Sequence, residues 1–323
     1  MNAQTAIAAE GLSVSLNHLA FRNLRQHLQS RIIGQAHLVE SLLIALLADG
    51  HLLVEGAPGL AKTTAIKELA AALQGDFRRL QFTPDLLPGD LTGTDVYRPE
   101  TGEFHFQPGP LFHNLILADE INRAPAKVQS ALLEGMQERQ VTIGLQSFPL
   151  PDPFIVMATM NPFDTDGTYQ LPLAQMDRFL LRAAVSYPSR DEELTILERF
   201  AVENTQPVQA VAAMPDVLAW RSEARSVHLE QKLKRYIVDL VAVTREPHEL
   251  IDHGASPRAT LAIANLARAK ALLAGRDYAI PDDVRAVAPL ALHHRIDFSY
   301  RLATQGARAE VVIQALIAGV PTP

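Results

Sequence analysis

Apolar residues fall into two regimes along the chain. In the first half they come as short runs: Leu52–Glu55, Leu80–Phe82, Leu115–Ala118 and Phe154–Ala158, with a fifth candidate at Phe179–Val185. Runs that are apolar on both faces suit strands buried on both sides of a parallel sheet. Between them the apolar positions recur at helical spacing. The segment Ile32–Ala48 carries Leu38, Leu42, Leu43 and Leu46, Thr63–Leu73 follows, and Ala126–Arg139 lines up Val128, Leu132 and Met136 on one side. Strands alternating with helices predict an α/β fold with right-handed crossovers.

After Pro188 the pattern changes. Asp191–Asn204, Asp216–Val227, Leu229–Arg245, Pro257–Leu273, Asp282–Leu292 and Ala309–Ala318 all read as helices, and no strand pattern stands out. Pro281 suits a helix start and Gly275 a helix end. The expected organisation is a helical lead-in over 1–30, an α/β unit over 31–187 and a helical unit over 188–323, divided at Tyr187-Pro188-Ser189. A length of 323 residues agrees with two domains of about 100–200 residues each. Trp220, the sole tryptophan, falls among helical residues and is expected in the core.

Composition removes several function classes. With 48% hydrophobic residues the chain is neither disordered nor collagen-like. It has no cysteine, so disulfides and thiolate metal sites are excluded and an intracellular, cytoplasmic protein is expected. Met1–Gly11 lacks the pattern of a secretory signal, and no stretch reads as a membrane span. The net charge is −7; residues 1–187 carry 13 basic against 19 acidic side chains, and 188–323 carry 16 against 17. Neither half has the basic surplus of a nucleic-acid partner. No His-Glu-x-x-His is present, and His248 and His253 stand five apart, so a zinc site is not expected. Gly254-Ala255-Ser256-Pro257-Arg258 lacks the second glycine of a nucleophile elbow.

The chemistry concentrates on Gly56, Ala57, Pro58, Gly59, Leu60, Ala61, Lys62, Thr63 and Thr64, which follow the first strand run and open a helix. That context suits a phosphate-binding loop: glycine-rich backbone N–H groups and a helix N-terminus face the phosphates. Lys62 would neutralise β- and γ-phosphate charge, and the Thr63 hydroxyl would ligate Mg²⁺. A glycine-rich strand-turn-helix corner is the alternative. Only six of the 29 basic residues are lysine, and one stands where a compact ammonium is needed. The run ending at Ala118 is followed by Asp119 and Glu120, at the end of a parallel strand where ligands bind. Asp119 would hold Mg²⁺, mostly through water, and Glu120 would polarise the attacking water. Asn161, after the Phe154–Thr159 run, would hydrogen-bond the γ-phosphate or the water, or serve as a turn residue before Pro162.

This set, with Asp177-Arg178-Phe179, resembles the AAA+ ATPases, and the wording is similar to their MoxR branch. The matching segments include Ile33-Gly34-Gln35, Gln81 to Pro88, Ala118 to Pro125, Ala158 to Pro162, Leu171-Pro172, Gln175 to Phe179 and Gly254 to Arg258. Ala61, where glycine is usual before the lysine, suits that branch as well. The resemblance implies an AAA+ P-loop core with a five-stranded parallel sheet followed by an all-α helical lid. It implies ATP and Mg²⁺ as substrate and cofactor, and a self-assembled ring, commonly a hexamer. Asn161 would be sensor 1, Arg178 the arginine finger toward a neighbouring subunit, and Arg258 the lid's sensor 2. The alternatives for the arginines are a salt bridge for Arg178, with Asp177 or a nearby acid, and an exposed first-turn residue for Arg258. Partners implied are a von Willebrand A domain protein and a protein client whose maturation or metal loading is assisted. Hairpins are expected at 94–110 and 140–150, and related proteins face such hairpins to the pore or substrate. A DNA motor or loader, a nucleotide-gated scaffold with little turnover and a small-molecule P-loop kinase are the competing classes.

Overall fold

The structure, a computed structural model, describes residues 19–161, 167–201 and 210–323. Residues 1–18 of the lead-in, Pro162 and Asn204 lie outside the described residues. In chain order the elements open with a helix over 19–31 (α1), α2 (Ala36–Leu47), β1 (Leu52–Glu55), α3 (Lys62–Ala72), β2 (Phe77–Gln81) and α4 (Pro88–Thr92). Next come β3 (Gly93–Arg98), β4 (Glu103–Pro108), β5 (Leu115–Asp119), α5 (Ala126–Glu138), β6 (Gln140–Ile143), β7 (Gln146–Pro149), β8 (Ile155–Met160), α6 (Leu173–Met176) and β9 (Leu181–Ala184). The remainder is α7 (Arg190–Ala201), α8 (Met214–Ser226), α9 (Gln231–Ala242), β10 (Ile251–His253), α10 (Pro257–Leu273), α11 (Pro281–Leu292), β11 (Asp297–Phe298), α12 (Tyr300–Thr304) and α13 (Ala309–Gly319).

Five strands form one parallel sheet in the order β2-β5-β8-β1-β9. The inner strands alternate between two apolar layers. Leu52, Val54, Leu115, Leu117, Ile155 and Met157 point into the layer shared with α2, α3 and the helical half. Leu53, Ile116, Ala118, Val156 and Ala158 point into the layer covered by α5. Burial on both faces is why these runs are apolar at every position. β2 is an edge strand that begins three residues before the expected Leu80–Phe82. Its Arg78 and Arg79 are exposed, so hydrophobicity marked only its inner end.

The two expected hairpins form as β3–β4 and β6–β7. They pack on each other through stacked Phe106 and Phe148 rings, 4.0 Å between centroids. α2 begins at Ala36, later than expected, because Gly34 takes a left-handed turn (φ 73°) between it and α1. Trp220 is buried against Phe21 of α1, edge to face at 5.2 Å. In the helical half, aspartates cap two starts: Asp216 accepts from the Ala213 N–H at 2.8 Å and Asp283 from the Ile280 N–H at 2.9 Å. The expectation of an all-α lid needs one correction. β10 and β11 form a short antiparallel ladder, with Ile251 opposite Phe298. Strands this short carry too little alternation to show in sequence.

One buried histidine ties the sheet together. His51 precedes β1, and its Nδ1 accepts from the Val156 N–H at 3.0 Å. Since a backbone N–H only donates, Nε2 carries the proton and donates to the Met136 carbonyl at 3.1 Å. Burial, reinforced by the Arg139 charge, pushes its pKa down to about 3.

Candidate active site

The sheet's topology opens a crevice between β1 and β8, because the strands that follow them run to opposite sides. Register puts Glu55 beside Met160 and Ala118 beside Ala158, so the carboxyl ends of β1, β5 and β8 finish at one edge. Above that edge lies a cleft of about 830 Å³. The Pro58–Thr64 stretch, Asp119, Glu120, Thr159 and Asn161 line it. Ile32, Ile33 and Ile196 supply an apolar wall.

The loop between β1 and α3 adopts conformations that its composition permits. Gly56 and Gly59 have φ of 154° and 80°. A Cβ at Gly56 would meet the Val185 side chain at 2.3 Å, so glycine there also allows close packing against the strand beside it. Ala61 is left-handed at φ 57° and immediately precedes α3. For a residue with a Cβ this conformation costs on the order of 1 kcal/mol. Lys62 is buried, and its ammonium donates to the Gly56 carbonyl at 2.6 Å and the Ala57 carbonyl at 3.2 Å. Burial lowers its pKa, while the nearby Asp119 and Glu120 charges oppose the shift. The ammonium is therefore held by two loop carbonyls, within the field of the Asp119 and Glu120 carboxylates.

Both carboxylates of the acidic pair are held by neighbours. Thr159 Oγ1 donates to Asp119 Oδ1 at 2.6 Å and accepts from the Glu120 N–H at 2.9 Å. Arg79 of β2 donates to Asp119 Oδ2 at 2.7 Å. Glu120 is the second left-handed non-glycine residue of the cleft, with φ 58°. Its Oε2 receives Gln81 Nε2 at 3.1 Å and Arg123 Nε at 3.0 Å. Arg79, Gln81, Arg123 and Thr159 were not among the expected site residues. Arg79 and Gln81 alternate on β2 and so reach the same edge, but only pairing with β5 brings that edge to the acids. The donor set fits Mg²⁺: hard oxygens from Thr63 and Asp119, and no cluster of three or more metal-ligating side chains among the described residues. An ion bound there needs water and substrate phosphates to complete its shell, as Mg²⁺ characteristically does.

The two arginines expected at the nucleotide do not reach this cleft. Arg178 follows α6 and donates to the Leu133 carbonyl at 3.3 Å, in a separate depression lined by Glu134, Gln137, Glu138 and Gln175. Its partner is thus a backbone carbonyl rather than Asp177. Arg258, in the first turn of α10, lies half exposed with Nη1 3.7 Å from Asp177 Oδ2. Asp177 also accepts from Ser256 Oγ at 3.0 Å and from Arg295 Nε at 2.6 Å.

Residues 51–181 match the ATPase family associated with various cellular activities (AAA), and residues 244–315 match the AAA lid domain. Chaperone MoxR1 of Mycobacterium tuberculosis is 45% identical, across 98% of this chain and 85% of its own length. Protein MoxR of Paracoccus denitrificans is 32% identical, across 95% of this chain and 97% of its own. A crystal structure of a protein from Cytophaga hutchinsonii superposes with a TM-score of 0.91 at 39% identity, covering 98% of this chain and 99% of that one.

Proposed function

The chain belongs to the MoxR family of AAA+ ATPases, and we propose that it assembles into a Mg²⁺-dependent ring, a hexamer, that spends ATP on remodelling a protein client. The observation that carries this reading is the position of Arg178. It sits outside its own cleft, in a separate depression and partly exposed, which supports a role toward a nucleotide bound by a neighbour. A chaperone role follows the name of its Mycobacterium relative. A von Willebrand A domain partner and a cytoplasmic location complete the proposal. Among the described residues no helix is long and apolar enough to cross a membrane. The working division is an ATPase core over 31–187 and a lid over 188–323, after a lead-in over 1–30.

In this mechanism the loop N–H groups and Lys62 bind the β- and γ-phosphates, and the wall of Ile32, Ile33 and Ile196 takes the base. Thr63 and, through water, Asp119 would hold Mg²⁺, which when bound would supply positive charge to offset that of the phosphates. Thr159 orients Asp119 for that task. Glu120 accepts a proton from the attacking water, while Gln81 and Arg123 hold the carboxylate through its other oxygen, Oε2. Asn161 steadies the water or the γ-phosphate. Arg178 of the adjacent subunit neutralises the transition state, an effect on the order of 10³–10⁵ in rate in well-studied NTPases.

The test is Arg178→Ala beside Glu120→Gln, with native mass measured with and without ATP. Both variants should bind nucleotide, assemble and fail to turn over. An Arg178→Ala protein that hydrolyses ATP like the parent, or a monomer under every condition, would overturn the ring.

A further inference from the structure

Arg178 is anchored weakly inside its own subunit, by a long 3.3 Å hydrogen bond to Leu133. Its neighbour Asp177 is anchored heavily, and every side-chain partner described above for it comes from the helical half. Arg295 follows α11 and is buried to 4% exposure. It gives Nε to Asp177 Oδ1 and spreads its other donors over backbone carbonyls. Nη2 reaches Asp177 at 3.3 Å and Phe179 at 2.6 Å, and Nη1 reaches Leu180 at 3.1 Å and Ala291 at 2.6 Å. Adjacent His294 donates through Nε2 to the Phe179 carbonyl at 3.0 Å. Three carbonyls around Arg178 are therefore held by two consecutive residues at one corner of the lid. The other oxygen of Asp177 belongs to α10, through Ser256 and the half-exposed Arg258.

We propose that Asp177 is a positioning residue through which the lid sets the arginine finger. Arg295 and Ser256 lock the 177–180 backbone to the lid, and Arg258 exchanges between Asp177 and the γ-phosphate of its own subunit. A lid that rotates on nucleotide binding carries Asp177 with it. On its far side the segment is held to the core, by buried Phe179 and by the Leu180 N–H on the His51 carbonyl, so a shift of the lid against the core is taken up in the backbone at Arg178. Nucleotide state in one subunit is thereby written into the finger it presents to the next. The inference rests on the ring reading above.

The experiment mixes defective subunits of the full chain. Asp177→Asn keeps an acceptor for Ser256 but loses the charge that holds Arg295 and Arg258. Arg295→Lys keeps a cation for Asp177 but gives up the carbonyls of residues 179 and 180. Each is checked by thermal melt, and the second carries the test if the first does not fold. Alone, each should lose roughly 10²-fold in kcat with little change in nucleotide affinity, the size of a misplacement of about 1 Å. Mixed with Glu120→Gln subunits, which lack the base but present an intact finger, each should regain activity beyond the sum of its parts. Arg178→Ala mixed with Glu120→Gln is the control for a finger acting between subunits. If the control complements and the variants do not, or if they turn over like the parent, the positioning role is refuted and the ring stands. If the control fails to complement, both readings fall.

Discussion

Acid should unfold this protein by charging His51. The ring is buried with both nitrogens committed: Nδ1 accepts from Val156 and Nε2 donates to Met136. A proton on Nδ1 would break the first bond and place a charge in the apolar layer between β1 and α5. The folded pKa of about 3 lies below the ordinary 6.5, so the unfolded chain binds the proton first. Stability is then complete above 6.5 and declines as pH falls through the window between 6.5 and about 3. At about pH 5 the unfolded ring is charged and the folded ring is not, a gap of about 1.5 units or about 2 kcal/mol. His294 adds to the loss with the same sign, since burial and the Arg295 charge push its pKa well down. The assay is denaturant melts at about pH 7.5 and about pH 5, followed by the fluorescence of the buried Trp220. His51→Gln is the comparison, because its amide offers the same acceptor and donor without titrating. It should lose about 2 kcal/mol less than the parent over that interval. Equal losses in the two proteins would refute the assignment.

Two further outcomes follow from the loop. Lys62→Ala removes a buried ammonium from the phosphate cradle and should weaken ATP binding roughly 100-fold, measured by titration with a fluorescent analogue. Ala61→Gly relieves a left-handed alanine at φ 57°. It should raise stability by about 0.5–1 kcal/mol, after the entropy glycine adds to the unfolded chain, while leaving nucleotide binding intact. A lower melting temperature in that variant would show that the loop's conformation carries no strain.

Much of the site lay in local order along the chain. A buried strand, a glycine loop, Lys62-Thr63 and a helix are consecutive, so their geometry follows from backbone connectivity. The same holds for Asp119 and Glu120, which close a strand that is itself apolar and buried up to Ala118. Arg79, Gln81 and Arg123 were invisible as site residues for the opposite reason. β2 is an edge strand with exposed arginines, and nothing in its own segment says which strand it pairs with. Its pairing with β5, Arg79 opposite Leu117 and Gln81 opposite Asp119, is what delivers those side chains to the acids.

The arginines make the same division. Arg178 and Arg258 were legible as unusual guanidiniums in family-like segments, but their partners lie far away in the chain. Asp177 meets Ser256 across 79 positions and Arg295 across 118. Periodicity and loop chemistry are local properties, and they suffice for the longer helices, the buried strands and the glycine loop between β1 and α3. Which charges meet is a property of how the lid docks on the core. That docking is set by the summed burial of one continuous apolar layer running from β1 and α2 into α8, α10 and α11. No single segment encodes it, and it puts Arg258 on Asp177 and Arg295 beneath the loop of Arg178.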